Sequence, residues 1–370
     1  MKILFLEPFY GGSHKAVADG FAANSGHQVD ILSLAPRFWK WRMRGSALAF
    51  VRQVANFSDY DLVFATDMVD VTDFKALAGP KCPPVALYFH ENQLSYPLGP
   101  GEKRDFHLGF TNIISALAAD GVFFNSLFHR DDFFSAAKSL IRKMPDLRPG
   151  WVLDKIRKKT GILYPGIDLD PVALVSSHLR SSGLDRPLVI WNHRWEYDKN
   201  PGVFFHVLER LKRRGVLFYL AVMGEQYGTV PEYFNGIEER FGTELLVCGY
   251  QETVGDYRKW LAAGSVVVST AIQENFGISV MEAVAHGCLP LLPNRLSYPE
   301  LIPEHFRPDV IYPDDTGLEK RLEHVLTHPE NYKNSAVALA DHAATFAWKH
   351  MGKKWDEALC RAIGSGRSKI

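Results

Sequence analysis

Short apolar, β-branched or aromatic runs alternate along the chain with segments whose apolar residues recur at helical spacing. Lys2 to Phe5, Val29 to Leu34, Leu62 to Ala65, Val85 to Phe89 and Val122 to Phe124 predict buried strands, and Ser13 to Ala23, Gly45 to Phe57 and Asp105 to Ala119 predict helices between them. The pattern restarts after the polar stretch Ser176 to Asp185. Leu188 to Trp191, Phe218 to Met223, Leu245 to Cys248, Val266 to Ser269 and Pro290 to Leu292 form a second strand set, with Val203 to Arg213 and Asp256 to Ala263 among its helices. Such alternation predicts parallel sheets covered on both faces.

The fold class is therefore α/β, with two doubly wound, Rossmann-like domains facing a cleft. The carboxyl ends of the strands are the expected ligand site. The boundaries are 1–170 for the first domain and 186–345 for the second. Residues 346–370 make a C-terminal helix expected to cross back to the first domain: Trp348 to Ile363 is amphipathic, with Trp355, Leu359 and Ile363 on one face. The tail from Gly364 to Ile370 is polar and expected to fray.

A chain of 370 residues suits two domains. Its 42 Lys and Arg balance 42 Asp and Glu, which argues against a protein coated in positive charge. No apolar run reaches the ~18 to 20 residues of a membrane span, and Glu7 and Pro8 interrupt the hydrophobic start, so no membrane partner and a cytoplasmic location are expected. Cys82, Cys248, Cys288 and Cys360 lie far apart without a C-x-x-C pair, as reduced thiols would.

The chemistry concentrates in Glu274-Asn275-Phe276-Gly277-Ile278-Ser279-Val280-Met281-Glu282, a strand-loop-helix segment. Phe276 and Gly277 are candidate donor-binding residues, Gly277 permitting close backbone approach, and the N–H groups of Ile278 and Ser279 at the helix start suit an anion. Glu274 and Glu282 are placed to accept hydrogen bonds from sugar hydroxyls and from a ribose diol, with a phosphate between them. Two solvated helix-edge glutamates are the plainer alternative. Directly after the first strand of the second domain, Arg194 and Lys199 can reach a diphosphate, the former through its planar fork. Such cations stabilise a departing nucleoside diphosphate more in the transition state than in the ground state. Alternatively, Arg194 pairs with Glu196 or Asp198.

Together these residues resemble the GT-B retaining glycosyltransferases of the GT4-like group. Glu274 and Glu282 match its E-x7-E motif and Arg194 and Lys199 its diphosphate pair. Asp168-x-Asp170 lies in the segment leading to the interdomain linker, so a metal-binding D-x-D role is not expected there. The first half narrows the resemblance: Glu7-Pro8-Phe9-Tyr10-Gly11-Gly12-Ser13-His14-Lys15, Trp39-Lys40-Trp41-Arg42 and Phe89-His90-Glu91-Asn92-Gln93-Leu94-Ser95-Tyr96-Pro97 are similar to hallmarks of the tRNA-queuosine alpha-mannosyltransferase family.

That resemblance implies transfer of mannose from GDP-mannose to the cyclopentenediol of queuosine at the wobble position of tRNA-Asp, with retained α configuration. Its implied partners are a nucleotide sugar and the anticodon loop of a queuosine-modified tRNA. It implies no cofactor and no metal, leaving-group charge being met by Arg194, Lys199 and the helix start. His90 is assigned an orienting role toward a donor hydroxyl, with a structural histidine bonded to Glu91 or Asn92 as the alternative, and Gly11 and Gly12 line the donor. No general base stands out.

The charge distribution fits an RNA acceptor. Residues 1 to 165 hold 20 Lys and Arg against 16 Asp and Glu, net +4, and the remainder is net −4. Lys138 to Lys159 is net +6, and Lys155, Arg157, Lys158 and Lys159 in it are candidate phosphate contacts. Lys40, Arg42 and Arg44, interleaved with Trp39 and Trp41, could recognise unstacked nucleotides, unless the tryptophans are core. Two rivals stand: a related glycosyltransferase acting on a lipid or polysaccharide, with Ser46 to Phe57 as a modest membrane-facing candidate, and a catalytically silent RNA-binding protein on the same scaffold.

Overall fold

A computed structural model describes residues 1–99, 101–169, 183–226 and 230–367. The chain divides into two compact units, the first made of residues 1–166 and 348–370 and the second of 167–347. The division falls between Gly166 and Ile167, a few residues before the expected boundary. Asp170 and most of the polar stretch from Ser176 lie outside the described residues.

The first unit contains β1 (Lys2–Glu7), β2 (Gln28–Ser33), β3 (Leu62–Thr66), β4 (Val85–Phe89), β5 (Gly121–Phe124) and β6 (Thr160–Ile162), in the order β2-β1-β3-β4-β5-β6 with every pairing parallel. The second contains β7 (Leu188–Trp191), β8 (Tyr219–Met223), β9 (Leu245–Gly249), β10 (Val266–Val268), β11 (Leu289–Pro293) and β12 (Ile311–Tyr312), in the order β12-β11-β10-β7-β8-β9, again parallel. β3, β4, β5, β7 and β10 are buried along their whole length, as strands covered on both faces must be. In each sheet the strand order reverses once, between β1 and β3 and between β7 and β10. The loops leaving the carboxyl ends there are the natural ligand positions.

β6 and β12 had no signal in the hydrophobic pattern, because three and two residues are too few to show a period. The helix expected over Gly45 to Phe57 instead spans Trp39–Val51. Its buried face is Met43, Ser46, Ala47 and Phe50, while Phe57 belongs to a separate 3-10 turn capped by Asn56. The basic run Lys40 to Arg44 hid the first turns of that helix from a reading based on apolar spacing.

The C-terminal helix, Trp348–Arg367, packs within the first unit. Trp355 is fully buried against Phe21, Phe64 and Tyr88, and its indole N–H donates to the Tyr164 carbonyl at 2.9 Å. Trp348 lies so close over Gly20 and Gly166 that a Cβ on either would stand 2.0 and 2.1 Å from the indole. The helix continues past Gly364 to Arg367, further than the polar composition of the tail suggested, and residues 368–370 lie outside the described ones. Among the described residues no helix is long and apolar enough to cross a membrane, and all four cysteines are free.

Candidate active site

In the second unit, the loops after β7 and β10 bring Lys199 and Glu274 together. The Lys199 ammonium is buried, lies 3.3 Å from Glu274 Oε2 and 3.2 Å from Asp198 Oδ2, and donates to the Gln273 carbonyl at 2.8 Å. Burial alone would push this lysine down, but Glu274 and Asp198 outweigh it and its pKa is raised. The loops are tied together by backbone: Ile272 N–H donates to the Asp198 carbonyl at 2.8 Å, and the Thr270 hydroxyl donates to the carbonyls of Lys199 and Asn200. Arg295 clamps the same loop from beneath through the carbonyls of Ala271 and Thr270. Arg194 is more open, with its guanidinium 3.2 Å from Glu196.

Gly277 ends the loop at φ +91°, the left-handed region that favours glycine, and starts the helix Ile278–Ala285. No side chain caps this helix, and by helix geometry the first-turn amides of Ile278 and Ser279 have no intrahelical acceptor. Phe276, a donor-binding candidate from the sequence, has its ring buried in the core, edge-on to Phe346. One turn into the helix, Glu282 accepts a hydrogen bond from the Tyr257 hydroxyl at 3.1 Å. The Asn192 amide donates both to that hydroxyl, at 2.9 Å, and to the Ser279 carbonyl, at 2.7 Å. Burial, reinforced by Asp168, pushes Glu282 up to about 7. Asp168 itself pairs with Arg258 at 2.9 Å, so it serves a link within this unit.

Sequence reasoning named Asp198 only as an alternative partner of Arg194, whereas it pairs with Lys199, and it did not single out Asn192, Tyr257 or Gly224. Tyr257 and Asn192 are separated from Glu282 by long stretches of chain, and no local motif joins them. At Gly224, just past β8, a Cβ would stand 1.9 Å from the His193 carbonyl. Only a glycine lets that loop run against the β7 loop.

In the first unit, Glu7 at the end of β1 is fully buried, and its Oε1 accepts from the Phe9 N–H at 2.8 Å and pairs with His14 Nδ1 at 3.2 Å. His90, just after β4, approaches Glu7 Oε2 at 3.6 Å through Nε2, and its backbone N–H donates to Asp67 Oδ1 at 2.8 Å. The His90 ring thus faces Glu7 and His14, whereas Glu91 accepts from the Gln93 amide and Asn92 from the Leu94 and Ser95 N–H groups. Burial, with His14 and His129 nearby, holds His90 well below the ordinary histidine value. Glu7, His14 and His90 offer ligand atoms all within 4.8 Å of one another, a spacing a divalent cation could use. The pairing of Glu7 with His14 and with the Phe9 amide accounts for most of this packing without one. Gly12 adopts φ +50°, and Gly11 is pressed on the Pro36 ring, where a Cβ would come within 2.7 Å.

The basic candidates separate into two kinds. Lys40, Arg44, Lys155, Arg157 and Lys158 are exposed. Lys155 lies over the Trp151 ring at 4.7 Å and Arg157 over Phe134 at 4.1 Å. Lys159 is a correction: its half-buried ammonium donates to the carbonyls of Leu117, at 2.6 Å, and Ala119, capping the end of a helix, and burial lowers it to about 8. It is a structural cap, not a surface cation for phosphate. Arg42 is partly committed too, reaching the Ala35 carbonyl at 3.3 Å. Of the two tryptophans, Trp39 packs on the cluster of Met43, Met68 and Leu108, while Trp41 is exposed.

Residues 2–167 match the family described as tRNA-queuosine alpha-mannosyltransferase N-terminal, and residues 179–338 match glycosyl transferases group 1. The chain is 34% identical over 342 residues to a tRNA-queuosine alpha-mannosyltransferase of Drosophila melanogaster, covering 90% of this chain and 88% of that protein. Among solved structures it is similar to sucrose-phosphate synthase from Thermosynechococcus elongatus, with a TM-score of 0.72 at 15% identity, covering 99% of this chain and all of that one. The catalytic domain of starch synthase IV from Arabidopsis thaliana, solved with ADP and acarbose, gives 0.69 at 13% identity, covering 98% and 99%. These structural likenesses show the GT-B fold.

Proposed function

This chain belongs to the tRNA-queuosine alpha-mannosyltransferase family of glycosyltransferases, and from that premise we propose that it transfers mannose from GDP-mannose to the cyclopentenediol of queuosine in tRNA-Asp, retaining the α configuration. The name carried by the Drosophila relative supports the acceptor and the sugar. The observation that carries the donor side is the apposition of Lys199 and Glu274 across the reversal point of the second sheet, at 3.3 Å. When a nucleotide sugar enters, Lys199 and Arg194 serve the diphosphate, the amides of Ile278 and Ser279 serve a phosphate oxygen, Glu274 serves sugar hydroxyls and Glu282 serves the ribose diol.

As the glycosidic bond breaks, the leaving GDP gains negative charge, and prepositioned cations and amides stabilise that charge at no reorganisation cost. Leaving-group departure then needs no divalent metal. The departing phosphate takes the acceptor proton, which agrees with the lack of a dedicated base among the candidate residues. His90 orients a donor hydroxyl, and Gly11 and Gly12 let the donor approach. The exposed cations of the first unit receive the tRNA, in the cytoplasm. The test is to incubate the protein with GDP-mannose and queuosine-containing tRNA and weigh the released nucleosides by mass spectrometry. A hexose increment on queuosine is expected, and its absence with an active preparation would overturn the assignment.

A further inference from the structure

The helix Trp39–Val51 turns two different faces outward and inward. Its inner face is the core set already named, but its outer face carries Trp41, 77% exposed, and Leu48, 59% exposed. The residue before the helix, Phe38, is 69% exposed and sits at φ +55°, ψ 48°. A left-handed conformation is costly for a bulky aromatic residue. The turn opens the helix, since the Phe38 carbonyl accepts the N–H groups of Trp41 at 2.8 Å and Arg42 at 3.1 Å, and it leaves the ring outside, with the Arg37 guanidinium 5.9 Å from its centre. Gly45, between Trp41 and Leu48 on the outer face, has no atom within 4 Å of where its Cβ would be. A side chain there would fit, so no neighbouring atom covers the helix at Gly45.

Along this segment the charge is of one sign, and the carboxylate that reaches it in space is Asp70, beside Arg44. From Ile31 to Ser58 the chain holds five cations, Arg37, Lys40, Arg42, Arg44 and Arg52, and no carboxylate. The segment also leaves the sheet from the end of β2, and Pro36 in it touches Gly11 of the loop after β1. The exposed rings are therefore tethered to the same carboxyl edge as Glu7, His14 and His90. Exposed aromatic faces among cations match an unpaired nucleic-acid loop, in which bases have open faces and phosphates lie beside them. A membrane surface fits less well: a helix lying in a bilayer needs one continuous apolar face, and here the apolar residues are divided between Met43, Ala47 and Phe50 inside and Trp41 and Leu48 outside.

We propose that Phe38 and Trp41 form a stacking platform for unpaired bases of the tRNA acceptor, with Lys40 and Arg44 engaging the adjoining phosphates. The inference rests on the tRNA-acceptor reading above and adds to it the surface that reads the loop. Stacking and phosphate contacts leave different signatures, because only the latter release counterions.

The experiment measures equilibrium binding of queuosine-containing tRNA by the full chain, its Phe38→Ala/Trp41→Ala variant and its Lys40→Gln/Arg44→Gln variant across a salt series. The aromatic variant is expected to lose about tenfold or more in affinity at every salt concentration with an unchanged salt slope. The charge variant is expected to flatten the slope. The stabilisation of each variant by GDP, read as a melting shift, is expected to match wild type, which shows that the second unit is intact. Wild-type affinity in the aromatic variant, with wild type itself binding tRNA, would overturn the platform and leave the acceptor reading standing. A wild type that binds no tRNA would overturn both. Loss of binding to anionic phosphatidylserine vesicles in the aromatic variant, with tRNA affinity retained, would assign the surface to a membrane and overturn the proposal.

Discussion

The imidazole rings of His14 and His90 lie stacked, with centroids 4.0 Å apart and 29° between their planes, yet they hold opposite protonation preferences. Burial alone would push His14 down, but the charge and hydrogen bond of Glu7, aided by Asp67 and Glu91, outweigh it and raise His14 to about 9. Asp67, pushed up to about 8 by burial and Glu91, accepts the backbone N–H of His90. His90 stays low because it is buried and because its neighbour carries the charge. Burial and the Glu7 carboxylate together thus sort two stacked histidines into a cation and a neutral ring.

Replacing Glu7 by Gln is expected to bring the His14 pKa down from about 9 toward the ordinary histidine range, since burial is then opposed only by the weaker charges of Asp67 and Glu91. The sign for stability follows from linkage. A histidine whose folded pKa is raised stabilises fully below its unfolded value of ~6.5 and loses that contribution as pH rises through about 9. Glu7→Gln should therefore cost most at pH 6 and progressively less toward pH 9.5 in denaturant melts. A destabilisation constant across that range would show that no proton is held by the pair.

His129 and His193 make the opposite prediction. Burial lowers His129 to about 3, and burial with Lys199 nearby lowers His193 to about 4. Each is neutral when folded and binds a proton when unfolded below ~6.5, so each weakens the fold as pH falls, by up to about 1.4 kcal/mol per pH unit. His193→Gln should reduce the loss of stability between pH 7 and 5 relative to wild type. An identical slope in the variant would show that His193 does not contribute.

Arg194 and Lys199 looked equivalent as a diphosphate pair, and their surroundings make them unequal. Lys199→Met leaves Asp198 and Glu274 without their buried cation, and is expected to cost about 3–5 kcal/mol of stability as well as transfer. Arg194→Ala breaks a partly exposed pair worth about 0–1 kcal/mol, so its melting curve should be near wild type while mannose transfer falls on the order of 100-fold or more. Near-normal turnover in Arg194→Ala would refute its place at the diphosphate.

The contrast shows where the sequence was informative. Strand alternation and the long segment from Glu274 to Glu282 are local, so the two parallel sheets and the glutamate loop could be read from spacing. Burial and partnership are not local. The sequence could not say that Lys199 is enclosed while Arg194 is open, or that Lys159 caps a helix. Nor could it say that Asn192 and Tyr257 hold Glu282. Glu7 and His14 did stand in a motif, but only the return of His90 from β4 shows what they do together.

Glu282 offers a test of the ribose contact. Its carboxyl is raised to about 7, so it gains charge through neutral pH, and a carboxylate accepts diol hydrogen bonds that a protonated group can meet only in part. GDP affinity should rise as pH goes from 6 to 8. Glu282→Gln should bind GDP more weakly, on the order of tenfold, with that pH dependence removed. Tyr257→Phe removes a buried hydrogen bond to the carboxyl and should weaken GDP binding without abolishing it. Calorimetric titration at three pH values checks all three, and a Glu282→Gln profile parallel to wild type would place the ribose elsewhere.

The C-terminal helix completes the core of the first unit, so its loss should be felt there. Trp355 is fully buried against three aromatic rings and donates to the Tyr164 carbonyl, and its neighbour Trp348 occupies space that only Gly20 and Gly166 leave open. Asp356 adds polar anchors, accepting from the Ser25 hydroxyl at 2.6 Å and the Gly26 N–H at 2.7 Å. Truncating Trp355 to Ala removes a large buried ring and is expected to cost about 3–5 kcal/mol. Gly20→Ala sets a methyl against the indole of Trp348 and should destabilise the same unit without removing any apolar surface. Thermal melts with and without GDP distinguish the units. If the helix acts as described, both variants lower the melting temperature in the absence of nucleotide, while the affinity for GDP, whose proposed site lies in the second unit, stays at the wild-type value.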